Sequence, residues 1–167
     1  MSRSPSSAPA VTPEERQRVV DELAKLGWPA AEVVHAFAIE SGWRPSSLNP
    51  STFAAGLAQL MPSNLAKLGF RPDLPRAARG RAFAALSALE QLPTIRAFFA
   101  RLPSWRVPGD TYVAMAASGF VGAPDNRIVY PQGSKAWYQN PSWRPADNGS
   151  ITAGSIRNVL LKRMVRA

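Results

Sequence analysis

Apolar residues recur at helical spacing along most of this chain, and strand-like alternation is nearly absent. Val19, Val20, Leu23 and Leu26 form one stripe. Ahead of it, Thr12-Pro13-Glu14-Glu15 supplies a cap, a first-turn proline and the second half of a capping box, and Gly27 closes the helix. Trp28-Pro29 restarts the chain into a second helix that runs through Glu40. Its Val33, Val34, Phe37, Ala38 and Ile39 make it too apolar for a surface position, which predicts a buried central helix. Short helices are predicted over 56–62 and 63–68, the latter stopped by Gly69. Helical period resumes over about 80–102 with Pro93 inside it, and an interior proline costs about 3 kcal/mol, so a break is expected near Leu92. Asp110 is placed to cap a helix through about Ser118, and a basic amphipathic helix is predicted from Thr152 onward. Only 127–130 reads as strand. The expectation is an all-α domain over 12–167 behind a disordered tail, residues 1–11, rich in Ser, Pro and Ala.

Composition narrows this further. A chain of 167 residues is long enough for one well-packed core, and its 16 prolines and 11 glycines favour short helices joined by shaped loops. No apolar run reaches the ~20 residues of a membrane span, and the N-terminal stretch lacks the apolar core of a secretory signal. Without cysteine there are neither disulfides nor thiolate metal sites. The formal charge of +9 favours anionic partners; with no basic run of five residues it reads as a non-specific attraction to polyanions, DNA included.

The candidate chemistry centres on 39–62. Glu40 ends an apolar helical run and faces a polar loop stiffened by Pro45 and Pro50. Apolar neighbours raise a carboxyl pKa and keep it protonated, which suits a general acid. No second acid lies within the stretch, whereas the usual glycosidase pattern needs two. The only histidine, His35, lies five residues before Glu40, off its face, and reads as structural. Trp43, Trp105, Trp137 and Trp143 are candidates for stacking on sugars. The segment 144–155 has the outline of a calcium loop but lacks its carboxylates at the ligand positions, so no metal is expected there.

Glu40-Ser41-Gly42-Trp43, then Asn49-Pro50, then Gly56-Leu57-Ala58-Gln59-Leu60-Met61-Pro62, resembles the soluble lytic transglycosylase family, which has a lysozyme-like fold. Ala58 stands where that family commonly has methionine, and Gln91-Leu92 matches its later Gln-Leu helix start. The likeness covers about 28–125, with 126–167 as a C-terminal extension similar to phage-encoded members. It implies cleavage of peptidoglycan between N-acetylmuramic acid and N-acetylglucosamine, with Glu40 as single acid and base and no cofactor. Ser41, Gln59 and Met61 are the implied substrate contacts. The family's Ala-Tyr-Asn block is replaced by Ala116-Ala117-Ser118-Gly119-Phe120, so Tyr112 or Tyr130 is left to supply the missing hydroxyl; Tyr112 joins the candidate site. The implied setting is a phage virion, in a tail or ejected protein beside other virion proteins, acting on the host cell wall. Two alternatives stand beside this: a hydrolytic lysozyme using Glu40, and a catalytically weak structural tail or ejection protein that keeps the fold.

Overall fold

The computed structural model describes residues 11–166. The tail expected at 1–11 lies outside that range except for Val11, which packs against the core. The described chain is mostly helical: α1 (Pro13–Ala24), α2 (Ala30–Ser41), α3 (Pro62–Lys67), α4 (Arg76–Ala84), α5 (Ala88–Ala100), α6 (Asp110–Ala116), α7 (Lys135–Gln139) and α8 (Ala153–Val165). A short antiparallel ribbon, β1 (Ile128–Tyr130) with β2 (Ile151–Thr152), and single 3-10 turns at Ser118–Phe120 and Pro141–Trp143 complete it. Among the described residues no helix is long and apolar enough to cross a membrane.

Helix α2 is the central element, with α1, α6 and α8 packed around it. Its Val33 and Phe37 are fully buried. Phe37 stacks on Trp43 at 5.2 Å and on Phe99 at 6.3 Å, and the edge of Trp28 meets Phe99 at 5.1 Å. Local signals place the helix starts. The box at Thr12 is closed in both directions, with Glu15 N–H donating to Thr12 Oγ1 (3.1 Å) and Thr12 N–H to Glu15 Oε2 (2.9 Å). Thr152 caps α8 in the same way through Ser155.

Three expectations are corrected. The break in 80–102 falls at Ala85–Ser87, not at Leu92, because Ser87 and Glu90 form a second capping box that starts α5. Pro93 is accommodated within that helix. Asp110 does not cap α6: Gly109 holds the cap position with φ 91°, and the Asp110 carboxylate turns to other partners. Finally, 56–60 is a tight turn, with Ala55 and Leu60 bridged at 2.9 and 3.1 Å.

The reason for that turn is Gln91. Fully buried, it accepts from Leu57 N–H at 2.9 Å and donates to the carbonyls of Pro45 (2.8 Å), Phe83 (3.1 Å) and Leu86 (3.1 Å). One amide thereby ties the 42–61 loop to α4 and α5, and diverts Leu57 N–H from a helical ladder. Gly56 makes room for it: φ is 77°, and a Cβ there would meet Gln91 Oε1 and the Phe83 ring, the latter at 2.7 Å. Gly56→Ala is therefore expected to cost about 2–4 kcal/mol, combining backbone strain with overpacking. Urea denaturation checks this; a loss under ~0.5 kcal/mol would show that the loop yields freely.

Candidate active site

The C-terminus of α2 is held rigidly. Gly42 takes the left-handed cap conformation (φ 59°), its N–H reaching Ala38 O at 3.1 Å. Trp43 follows with φ 58° and folds back, so that its indole N–H donates to Val34 O at 3.1 Å while its ring lies on Phe37. Phe53 (φ 60°) and Gln59 (φ 46°) are also left-handed. Three non-glycine residues in that region within one loop store about 1–3 kcal/mol each, a concentration characteristic of functional sites. Glu40 sits in the last turn of α2, directly before this loop.

A second acid on α2 sets what faces Glu40. Glu32 is buried, and its carboxylate accepts from Gly109 N–H (2.8 Å), Thr111 N–H (3.2 Å), Thr111 Oγ1 (2.8 Å) and Trp105 Nε1 (3.2 Å). It satisfies the free N–H groups of α6's first turn, where negative charge is also favoured by the helix dipole. The next residue of α6 is Tyr112, whose buried hydroxyl lies close enough to the Glu40 carboxyl to act on its charge and accepts from Trp143 Nε1 at 3.2 Å. Tyr112 is thus the tyrosine that meets the acid; Tyr130 stacks on Trp143 at 6.2 Å, one ring further away.

Glu40 keeps a partly exposed edge, yet the surrounding protein is dense enough that burial lifts its pKa from 4.5 to about 7, against the downward pull of the Tyr112 hydroxyl. Burial, and next the Glu40 charge, raise the Tyr112 phenol well above its ordinary value, so it stays a neutral donor. Arg44 donates to Ser41 O at 3.2 Å and forms no ion pair with Glu40. No second carboxylate perturbs Glu40 among the described residues. Several acids outside 39–62 are engaged elsewhere: Glu90 in its capping box, Asp147 with Gly149 N–H, and Asp110 and Asp125 with Arg157.

The remaining expected contacts have separate places. Ser41 is buried, its hydroxyl donating back to Phe37 O at 3.1 Å, so it belongs to the helix wall. Gln59 directs its amide nitrogen to Ser47 O (3.2 Å) and Gly56 O (3.0 Å), bracing the loop. Met61, partly exposed, precedes α3 at its cap position. Trp43 and Trp137 are buried and Trp105 is tied to Glu32, whereas Trp143 is hydrogen-bonded to Tyr112. A cavity of about 860 Å³ is lined by Tyr112 together with Ile39, residues of the 142–146 segment and α8. Neither Glu40 nor Gln59 lines it; Tyr112 belongs to both places.

Tyr112→Phe should remove the interaction that holds the Glu40 pKa down and leave Trp143 N–H without its acceptor. We expect the Glu40 pKa to move above that of the wild type and stability to fall by about 1–2 kcal/mol. Carboxyl NMR titration reads the first and denaturation the second; an unchanged or lower pKa would show that Tyr112 does not act on Glu40. Glu32 was not singled out by sequence reasoning, although a lone acid in the first turn of an otherwise apolar helix was the available signal. Compared with protein-family models, with curated proteins and with solved structures, the chain finds no significant match.

Proposed function

We propose that this protein is a lytic transglycosylase with a lysozyme-like fold, cleaving peptidoglycan between N-acetylmuramic acid and N-acetylglucosamine with Glu40 as its single acid and base. The observation that carries the reading is the setting of Glu40: a carboxyl lifted to about 7 by burial, at a rigid helix end, beside the Tyr112 hydroxyl and with no carboxylate partner among the described residues. With its pKa near 7, a substantial fraction of Glu40 is still protonated at neutral pH, and that form gives its proton to the glycosidic oxygen as the C1–O bond breaks. The substrate's own N-acetyl oxygen holds C1 until the 6-hydroxyl of the same sugar attacks it. Glu40, now a carboxylate, takes the 6-hydroxyl proton, and the 1,6-anhydro ring closes with no water added. Tyr112 stabilises the carboxylate between the two proton transfers, and Trp143 orients the phenol. The blocks around Glu40 and Gly56–Pro62 add the resemblance to soluble lytic transglycosylases, and a phage virion acting on the host wall is the setting that resemblance suggests.

Digestion of purified peptidoglycan, with products read by mass spectrometry, tests this. Anhydro-muramyl ends are the expected result. Reducing ends would replace the proposal with a hydrolase, and no products from folded protein would replace it with a structural role.

A further inference from the structure

The cavity lined by Tyr112 has a charge pattern that the cleavage step does not use. Its walls carry Arg144, Lys162, Arg163 and Arg166 with His35, and no Asp or Glu. None of these four cations pairs with a carboxylate among the described residues. Arg144 is fixed in place: its guanidinium lies 3.6 Å over the Trp137 ring and donates through Nε to Trp137 O (3.2 Å) and through Nη2 to Tyr138 O (3.3 Å). A cation held by carbonyls and an aromatic face, without a counter-ion, is ordered in advance for an anion. Lys162, Arg163 and Arg166 come from one side of the last turns of α8, so the opposite wall is also positive. Such convergence inside a concavity exceeds the general excess of basic residues over the surface.

We propose that this cavity is a subsite for the free carboxylates of the peptide stem that N-acetylmuramic acid carries on its lactyl ether. This rests on the peptidoglycan reading above. A peptide stem is the acidic group covalently attached to the sugar at the cleaved bond, and Tyr112 places the cavity beside Glu40. The subsite makes the protein select peptide-bearing glycan over bare glycan.

His35 is the only histidine of the chain and lines the cavity, so its ring resonances report occupancy without a label. The probes are a free stem tetrapeptide, the same peptide with its carboxylates amidated, inorganic phosphate at matched ionic strength, and a short single-stranded oligonucleotide. The test uses the full chain and a Lys162→Gln/Arg163→Gln variant, whose changes lie at exposed positions of α8. The expected result is a saturable His35 shift with the tetrapeptide alone, weakened about ten-fold or more in the variant. Equal shifts with phosphate, a larger response to the oligonucleotide, or no shift at millimolar peptide would each overturn the subsite. A cleavage assay on glycan strands with and without stems separates the two readings. Cleavage of both at one rate would leave the transglycosylase standing and remove the subsite. Peptide binding without any cleavage would keep a carboxylate site and remove the transglycosylase.

Discussion

Glu40→Gln should lower peptidoglycan cleavage by about 10²–10⁴-fold while leaving the protein folded. Glutamine preserves the shape, so the loss isolates the proton. The same substitution has a stability signature that a solvent-exposed glutamate would not show. The Glu40 pKa is 4.5 in the unfolded chain and about 7 in the fold. Below 4.5 the carboxyl is protonated in both states and carries no penalty. As pH rises to 7 and beyond, the folded state must hold a charge that its surroundings disfavour, at a cost approaching about 3 kcal/mol. Glu40→Gln is free of that cost, so it should match the wild type near pH 4 and exceed it in stability at pH 8. Activity of the wild type should fall in the same window, because above about 7 the acid has lost its proton. Denaturation curves at the two pH values, beside a pH–rate profile, check both. A variant less stable than wild type at pH 8 would mean that Glu40 is stabilised as a carboxylate, contrary to the pKa assigned here.

The second large effect concerns the pair that fixes α6 to α8. Asp110 is fully buried, and Arg157 reaches its Oδ1 through Nε at 2.9 Å and Nη2 at 2.7 Å. The other oxygen of Asp110 accepts from the N–H groups of Arg106, Val107 and Gly122, while Arg157 continues to Asp125 (2.6 Å) and to Ala123 O (2.8 Å). Gly109 lets the chain pass: a Cβ there would lie 2.6 Å from that of Arg157. Removing Arg157 leaves Asp110 buried without its counter-ion, and Arg157→Met is expected to cost about 3–5 kcal/mol. Asp110→Leu should cost less than that, since Arg157 keeps Asp125 as a counter-ion. The double change should recover part of the loss, since neither charge remains. Urea denaturation of the four proteins gives the coupling; a single substitution costing less than ~1 kcal/mol would show that the pair is hydrated or dispensable. Because α6 carries Tyr112, Arg157→Met should also displace the phenol from Glu40 and shift the acid's pKa without touching it.

Much of the helical plan was legible because its signals are local. The boxes Thr12–Glu15 and Thr152–Ser155, the glycines that end helices, and the apolar run of α2 all act over three or four residues, which is the reach of one helical turn. Ser87 and Glu90 carry the same local signal, and the helix they start accommodates Pro93 in its interior. The sequence by itself also determined Glu40 as the candidate acid, since an apolar helix ending in one carboxylate needs no partner to be noticed. What faces that acid was decided only in three dimensions. Tyr112 and Tyr130 were equivalent along the chain, and Glu32 separates them by gripping Gly109 and Thr111, 77 and 79 residues away. Gln91 likewise shapes the loop after Glu40 from contacts 34 and 46 residues distant. A turn or cap arises from neighbouring dihedral angles and can be read from spacing. A buried polar clamp arises where burial forces each donor and acceptor to find a partner, and that partner is chosen by the packing of the whole domain.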